Sequence, residues 1–342
     1  MTDSSLQDFY REIGTAHMSP LWENLHALVP RTPVSPVSAA FWDYERCIRP
    51  YLMRAGELIS AEKAERRVLI LENPGLPGSS AITQTLYAGA QLLLPGELAP
   101  SHRHTQSALR LVIEGQGAYT SVDGERILMQ PGDFVITPGW RFHDHGNETE
   151  EPVIWLDGLD IPMVGLLGAG FAESGRDRPP APARLHGDSL ARFGRNMVPA
   201  GWTSTDRHSP VLNYPYEQSL DTLRWMRKSE TMDECHGYKV RFVNPANGGH
   251  PLATIAAFIQ LLPGGVTTAP YRSTDATIYS VVAGQGETRV GDATFGWKPH
   301  DVMVIPSWAP HSHRAFTDEA TLFSFSDRPV QEALGLWREQ RH

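Results

Sequence analysis

Residues 129–145, MQPGDFVITPGWRFHDH, recur 168 positions later as residues 297–313, WKPHDVMVIPSWAPHSH. Identical residues that keep that spacing in both copies include Pro138 and Pro306, Trp140 and Trp308, and His143 and His311. A constant spacing between similar segments indicates a duplicated structural unit. The chain therefore contains two related units, and the sequence around the two segments indicates what kind of unit each one is.

Both copies lie in sequence that is typical of short β-strands. Apolar runs such as ALRLVIEGQG (108–117) and TIYSVVAGQG (277–286) end in glycine-rich turns. Regularly spaced short strands favour a small barrel or sandwich. We predict an all-β dominated fold in which two barrels follow a helical N-terminal arm. The expected boundaries are residues 1–78 for the arm, 79–171 for the first barrel, 172–250 for an irregular linker with short helices, and 251–342 for the second barrel with a C-terminal helix.

Composition and charge exclude several classes of protein. The net charge is −9 and no long basic run is present, which argues against a nucleic-acid partner. Cys47 and Cys235 are the only cysteines, so we expect neither a disulfide framework nor a cysteine-based zinc site. No apolar stretch is long enough for a membrane span, and residues 1–14 lack the pattern of a signal peptide. We expect a cytoplasmic protein without a membrane partner.

Histidines at strand spacing form a candidate metal site in the first unit. His102 and His104 are two residues apart and should leave the same face of a strand, as should His143 and His145. Inward-facing imidazoles on neighbouring strands can converge on one metal ion. A pair of this kind on its own is more often a surface or capping feature, so the residues around it are needed to decide.

The spacing of those surrounding residues resembles the two cupin motifs, which implies a bicupin built of two double-stranded β-helix (jelly-roll) barrels. The residues that keep the motif intervals are Gly96, His102, His104, Gly132, Pro138, His143 and Asn147. The motif's glutamate would fall at Ala108 or Leu109, which cannot bind a metal, and a motif glycine is replaced by Trp140. Three neutral imidazoles leave about three positions of an octahedral ion open. Fe(II) with a bidentate substrate and O2 suits this arrangement, although zinc also binds three histidines and a water.

The second unit does not keep the candidate metal site. A shift of 168 residues places Pro270 and Arg272 where the first unit has its histidine pair, and only His311 remains. We therefore predict a structural second barrel without a metal, in which His311 and His313 pack or form hydrogen bonds.

Arg110 is expected to face the same lumen as the histidines, because it keeps their parity along the strand. A buried guanidinium is costly unless it is paired. One interpretation is an ion pair with Glu114 or Asp157. The other is a clamp for a substrate carboxylate, since the planar guanidinium matches a carboxylate in shape.

Four further residues have a functional and a structural interpretation. His145 either serves as a base for a phenolic hydroxyl or forms an ordinary hydrogen bond. Asp157 either orients His145 or belongs to a turn. Arg66 is either a substrate ligand or a solvated charge at a helix end. Tyr87 either donates its hydroxyl to a ligand or packs in the core.

Longer stretches resemble the gentisate 1,2-dioxygenase family. They are PLWENLHALVP near the start, HRHTQSALRLVIEGQGAYT, PGDFVITPGWRFHDHGN and PVIWLDGLDIP. The resemblance covers most of the chain. It implies one Fe(II) per subunit in the first cupin, O2 as co-substrate, extradiol-type cleavage of gentisate (2,5-dihydroxybenzoate) to maleylpyruvate in aromatic catabolism, and a homotetramer. It also implies that the iron ligands are His102, His104 and His143, and that the residues around this small aromatic acid are Arg110, His145, Asp157, Arg66 and Tyr87.

Other functions stay open at the level of sequence. Related dioxygenases act on salicylate or 1-hydroxy-2-naphthoate. Tyr87 favours gentisate, because its hydroxyl could meet the additional ring hydroxyl of that substrate. Two further classes are an O2-independent metal-dependent cupin enzyme, such as an isomerase or decarboxylase, and a non-enzymatic barrel that binds an aromatic acid.

Overall fold

The computed structural model describes residues 3–175, 183–195, 197–203 and 206–341. Parts of the irregular linker expected at residues 172–250 lie outside these ranges. Residues 1–35 form one compact unit, and residues 36–342 form another. Among the described residues, no helix is long and apolar enough to cross a bilayer.

The first unit is helical, as predicted for the N-terminal arm. It contains α1 (Asp3–Thr15) and α2 (Leu21–Leu28), and Pro20 immediately precedes α2. The hydroxyl of Tyr10 donates a hydrogen bond to Glu23 at 2.7 Å and accepts one from Nε1 of Trp22 at 2.8 Å. These two hydrogen bonds join α1 to α2.

Residues 36–78 differ from the purely helical arm that the sequence suggested. In order they form β1 (Ala40–Trp42), a π-helical turn (Tyr44–Ile48), α3 (Arg49–Leu58), α4 (Ala61–Ala64) and β2 (Arg67–Ile70). β1 pairs with a strand of the second barrel, and β2 pairs with a strand of the first. The segment therefore contributes an edge strand to each barrel, which its short apolar runs (AFW and RVLI) permit.

The first barrel is built from eight strands and from short elements that follow them. The strands are β3 (Tyr87–Leu93), β4 (Leu98–His104), β5 (Ala108–Glu114), β6 (Tyr119–Val122), β7 (Glu125–Leu128), β8 (Phe134–Thr137), β9 (His143–Gly146) and β10 (Val153–Leu159). The elements that follow along the chain are α5 (Ile161–Leu166), β11 (Ala172–Ser174), α6 (Asp188–Phe193), β12 (Asn213–Tyr214), α7 (Tyr216–Ser229) and β13 (Tyr238–Arg241). Of these strands, β11 and β12 join the sheets of the first barrel, whereas β13 joins a sheet of the second barrel. Two antiparallel sheets result, with the strand orders β12-β8-β5-β10-β3-β2 and β11-β4-β9-β6-β7.

The second barrel repeats this plan. Its elements are β14 (Ala256–Pro263), β15 (Tyr271–Ser273), β16 (Thr277–Ala283), β17 (Gly286–Val290), β18 (Ala293–Trp297), β19 (Val302–Ile305), β20 (His311–Ala315), β21 (Glu319–Ser326), α8 (Arg328–Ala333) and β22 (Glu339–Arg341). The sheets have the orders β1-β19-β16-β21-β14-β13 and β18-β17-β20-β15-β22. The C-terminal helix is shorter than predicted, because Gly335 adopts a left-handed conformation (φ 70°) after α8 and the chain continues into β22, which pairs with β15.

Cross-strand pairing corrects the alignment of the two copies. His102 lies opposite His143, and Tyr271 takes the same place opposite His311. The prediction that Pro270 occupies this place is therefore wrong by one residue, and the same holds for Arg272, since Ser273 follows Tyr271 on the same face.

The cause of the misalignment is one additional residue in the first copy. GAYT runs from Gly117 to Thr120, whereas the second copy has only GET, from Gly286 to Thr288. The offset between the copies is therefore 169 residues before this point and 168 after it.

An aromatic cluster joins the two barrels. The ring of Phe134 on β8 lies 4.8 Å from that of Phe242 and 5.4 Å from that of Phe323 on β21, measured between centroids. All three side chains are at least nine-tenths buried. Burial of such large apolar side chains fixes the barrels against each other.

Candidate metal and substrate site

Three histidines converge inside the first barrel. His102 and His104 extend from β4, and His143 extends from β9, the neighbouring strand. The rings of His102 and His143 are 4.0 Å apart between centroids, and the nitrogen atoms that the three residues can offer lie within 4.8 Å of one another. Within the described residues, this is the one group of three or more such side chains close enough to share a metal ion.

Backbone carbonyls fix which ring nitrogen of each histidine is free. The Nδ1 atoms lie near the carbonyl oxygens of Pro100, Gln106 and Arg141, at 3.0 Å from His102, 2.8 Å from His104 and 2.9 Å from His143. A carbonyl only accepts hydrogen bonds, so each Nδ1 must carry the proton and each Nε2 keeps its lone pair. Metal-binding histidines are commonly held in this way.

Burial keeps the three imidazoles neutral. Burial, with a smaller contribution from the nearby Arg66, lowers the pKa of His102 to about 3 and that of His104 to about 4. It holds the pKa of His143 well below its usual range, with a smaller contribution from His102. Nε2 of His143 is fully buried and makes no hydrogen bond to the described residues. Three neutral donors, one of them an unsatisfied buried nitrogen, fit a divalent metal ion.

Arg110 lies beside the histidines and is paired. It is on β5 directly opposite Asp157 on β10, and its Nε is 3.2 Å from the carboxylate. Both residues are about 95% buried. Of the two ion pairs considered from the sequence, the one with Asp157 is formed, whereas Glu114 pairs with Arg49 at 2.8 Å.

His145 is held between Arg110 and Thr120. Nε2 of His145 is 3.1 Å from the guanidinium of Arg110, and Nδ1 is 3.0 Å from Oγ1 of Thr120. Arginine only donates, so Nε2 is the acceptor and Nδ1 carries the proton. Asp157 therefore acts on His145 through Arg110, which corrects the expectation that the carboxylate orients the imidazole directly.

Burial also determines the protonation of the Asp157 carboxyl and the His145 imidazole. It raises the pKa of Asp157 to about 6, although Arg110 opposes the shift. It holds the pKa of His145 well below the usual range, and the positive charge of Arg110 adds to the effect. His145 is thus a neutral hydrogen-bonding group and a weak base.

Arg66 and Tyr87 complete the group. The guanidinium of Arg66 donates a hydrogen bond to Nε2 of His102, and it would have to leave this nitrogen for a metal ion to bind there. Tyr87 begins β3, and burial raises the pKa of its hydroxyl, so the hydroxyl stays protonated. Gly89 makes room for it, because a Cβ there would lie 2.5 Å from the Tyr87 hydroxyl oxygen. The structure therefore brings all eight residues predicted from the sequence into one region.

A cavity of about 400 Å³ opens beside the histidines. Its wall includes Arg66, His102 and strand β11, which pairs with β4. A small aromatic acid fits a space of this size.

Two threonines of this site were missed by sequence reasoning. Thr120 supports His145, and Oγ1 of Thr137 accepts a hydrogen bond from Arg110 at 2.5 Å. For Thr120 a signal existed, since Thr288 is its counterpart in the second barrel and lies 2.8 Å from Nδ1 of His313. His313 thus forms a hydrogen bond, as predicted.

Trp140 shows how this chain departs from the cupin motif. It has a left-handed backbone (φ 64°) at the position where the motif has glycine, and Trp308 repeats this (φ 62°). The amide of Trp140 donates to the carbonyl of His104 at 2.7 Å, and its ring lies 4.0 Å from the guanidinium carbon of Arg103. These contacts offset a backbone cost of about 1–2 kcal/mol and fix the end of β4.

Comparison with known proteins gives consistent similarities. Residues 90–159 match the model of the cupin domain. The chain is 52% identical to gentisate 1,2-dioxygenase 1 of Aquipseudomonas alcaligenes, over 98% of this chain and 96% of that protein. It is 39% identical to a gentisate 1,2-dioxygenase of Streptomyces sp., over 98% and 95%. The crystal structure of salicylate 1,2-dioxygenase from Pseudoaminobacter salicylatoxidans with gentisate superposes with a TM-score of 0.93 at 33% identity, covering 100% of this chain and 95% of that chain.

Proposed function

The chain belongs to the gentisate 1,2-dioxygenase family of bicupin enzymes, and on that premise we propose that it uses Fe(II) and O2 to open the ring of gentisate. The bond broken lies between the carboxyl-bearing carbon and the adjacent hydroxyl-bearing carbon, and the product is maleylpyruvate. Both oxygen atoms of O2 enter the product, so no external reductant is needed. The observation that carries the proposal is the set of three Nε2 donors next to the buried Arg110.

The histidines fit Fe(II) as the resident metal. His102, His104 and His143 would hold it through Nε2, with Nδ1 fixed by backbone carbonyls. When bound, the iron supplies open coordination positions and the redox chemistry that O2 requires. Three neutral ligands leave its charge uncompensated, which favours an anionic substrate.

Arg110 and Arg66 would bind the carboxylate of gentisate. Both guanidinium groups face the histidines, since Arg66 contacts His102 and Arg110 contacts His145. Asp157 holds Arg110 in place through the ion pair, and Thr137 holds its other end. A guanidinium fixed in advance pays little ordering entropy when it binds a carboxylate.

His145 and Tyr87 would act on the hydroxyl groups. Nε2 of His145, whose pKa is low, would accept a hydrogen bond from the hydroxyl next to the carboxylate once Arg110 has exchanged its contact with this nitrogen for one with the substrate carboxylate. The protonated hydroxyl of Tyr87 would meet the second hydroxyl of the substrate. This contact favours gentisate over salicylate, which lacks that group.

A broader substrate range is the second candidate. The salicylate 1,2-dioxygenase that this chain resembles was crystallised with gentisate, so one site of this family accommodates both acids.

We also propose that the protein is a cytoplasmic homotetramer. Apolar side chains are exposed along α1 and α2, among them Leu6, Phe9, Leu21, Trp22 and Leu25. Exposed apolar groups concentrated in one segment are typical of a subunit contact.

Isotope labelling tests the proposed reaction. Iron-loaded protein is supplied with gentisate under ¹⁸O2, and the ring-opened product is analysed by mass spectrometry. Incorporation of both labelled atoms supports a dioxygenase. Conversion of gentisate without O2 would instead indicate another kind of metal-dependent cupin enzyme.

A further inference from the structure

The second barrel has a cavity of its own. It measures about 390 Å³, and strand β22 lies in its wall. β22 pairs with β15 just as β11 pairs with β4 beside the three histidines. The cavity therefore opens at the same end of the second barrel as the candidate active site does in the first, and its volume is within the range of small-molecule sites.

The side chains in this cavity do not suit a metal ion. Tyr271 and Ser273 stand where the first barrel has His102 and His104. His311 remains, but among the described residues no group of three or more possible metal ligands lies close enough together here to share an ion. A ligand of this cavity must be recognised by charge and by aromatic contact.

The two barrels carry the positively charged side chain of their cavity on different strands. Tyr279 is opposite Met303 as Arg110 is opposite Val135, so the second barrel has no arginine at the clamp position. Lys239 on β13 supplies the positive charge instead.

Lys239 extends into an aromatic environment. Its Nζ is 5.0 Å from the ring centroid of Phe258 and 5.6 Å from that of Tyr279. Burial, together with the positive charge of Arg328, lowers its pKa to about 7. Among the described residues, no carboxylate lies within 4.0 Å of Lys239. Lys239 and Arg241 are therefore the two cations of the cavity wall that have no anionic partner within this distance among the described residues.

Most of the other charged groups of the cavity are already paired, and the exceptions among the described residues are Glu230 and Arg241, which form no ion pair. Arg328 is 3.3 Å from Asp275, whose second oxygen accepts a hydrogen bond from Nε1 of Trp337 at 2.8 Å. Arg341 pairs with Asp233 at 2.7 Å. The carboxylate of Glu339 accepts a hydrogen bond from Tyr271 at 3.0 Å.

These pairs hold the guanidinium of Arg328 4.3 Å from the ring centroid of Trp337, with further N–H groups available. The cavity thus combines a fixed guanidinium, an ammonium without a counterion, and aromatic walls.

We propose that the second barrel binds a small aromatic carboxylate, with the carboxylate between Lys239 and Arg328 and the ring against Phe258, Tyr271 and Trp337. The site is not catalytic, and it is independent of the function proposed for the first barrel. Its ligand recognition reproduces the acid-binding chemistry of that barrel with different residues and without a metal.

Hydrogen exchange followed by mass spectrometry tests the proposal on the iron-loaded full chain. Benzoate is the probe, and benzamide, which has the same shape but no charge, is the control ligand. We expect benzoate to slow exchange in peptides that contain residues 233–241 and 339–341, and benzamide not to do so. Lys239→Met should need roughly 10- to 100-fold more benzoate for the same protection, because one charge-assisted contact is lost.

Two further variants keep the outcome interpretable. Lys239→Arg should retain the protection, and Lys228→Met, which removes an exposed lysine on α7, should leave it unchanged. Equal protection in wild type and Lys239→Met, equal protection by benzamide, or protection only around residues 100–104 would overturn the proposal. None of these results bears on ring cleavage in the first barrel.

Discussion

Nε2 of His145 accepts a hydrogen bond from Arg110 across 3.1 Å, and this contact determines the tautomer of the imidazole. Nδ1 must then carry the proton, and it donates a hydrogen bond to Oγ1 of Thr120 at 3.0 Å. The carboxylate clamp and the hydroxyl-binding group are therefore one hydrogen-bonded unit. Substitutions in it should therefore affect catalysis.

Thr120→Val removes the partner of Nδ1 with little change in volume. We expect kcat for gentisate to fall by about tenfold, because residues that orient a ligand-binding imidazole typically contribute that much. Steady-state oxygen consumption provides the measurement.

The duplicated fold offers a matched control in Thr288→Val, which removes the corresponding contact to His313. It should leave kcat unchanged and cost more stability than Thr120→Val, because Thr288 also accepts a hydrogen bond from Nε1 of the buried Trp297 at 2.9 Å. An equal loss of activity in both variants would mean that the effect is structural and not specific to His145.

Arg110→Met should break a buried ion pair and remove the carboxylate clamp. We expect a loss of stability of about 3 kcal/mol, since Asp157 is left without its cation in the core. We also expect kcat/KM to fall by roughly 100-fold or more. Chemical denaturation and oxygen consumption measure the two effects.

The double variant Arg110→Met/Asp157→Leu separates these effects. It should recover most of the stability and none of the activity, because no charge is left unpaired but the clamp is still absent. Recovery of activity along with stability would show that Arg110 has only a structural role.

His104→Ala should abolish metal binding. Two histidines hold a divalent ion far less tightly than three, so the metal content after dialysis should fall to background. Elemental analysis provides the measurement, with His311→Ala as the control in the second barrel. Retention of metal by His104→Ala would place the metal site elsewhere.

Tyr87→Phe tests the contact to the second substrate hydroxyl. The ratio of kcat/KM for gentisate to that for salicylate should fall by about tenfold, since only gentisate loses a hydrogen bond. An unchanged ratio would indicate that Tyr87 only packs against the substrate.

Glu114 is expected to make stability depend on pH. Burial works against its ionised form, but hydrogen bonds from Arg49 and Tyr44 outweigh burial and lower its pKa below the usual 4.5. A depressed folded-state pKa contributes stability above pH 4.5 that is lost as the pH falls through the folded value.

The comparison of melting temperature against pH for wild type and Glu114→Gln checks this contribution. The advantage of wild type should be full near neutral pH and should shrink below about pH 4.5. A constant difference across this range would contradict the assignment.

Much of the site could be predicted from the sequence, because strand alternation and motif spacing are local properties. His102 and His104 were placed on one face by parity alone, and His143 by its interval from Pro138. The partners of these residues were harder to predict. Whether Arg110 pairs with Glu114 or Asp157 depends on which strands are neighbours. β5 lies beside β10 in the sheet, although 38 residues lie between Glu114, the last residue of β5, and Val153, the first residue of β10.

Two features of the fold were not readable for related reasons. The single additional residue near Tyr119 shifts the alignment of the two copies by one position, and the amino-acid composition of the segment does not reveal it. The strand β2 follows a helical stretch directly, and its role depends on pairing with β3, which a periodicity argument does not include.

Oxygen uptake by the Fe(II)-loaded protein, with gentisate and salicylate offered separately, tests the central claim most directly. The account predicts rapid uptake with gentisate, in equal amount to the substrate consumed, and much slower uptake with salicylate. Uptake must depend on the first barrel, so it should be absent in His104→Ala. No uptake with either acid, despite iron bound to the wild-type protein, would contradict the assignment of this chain as a ring-cleaving dioxygenase of gentisate.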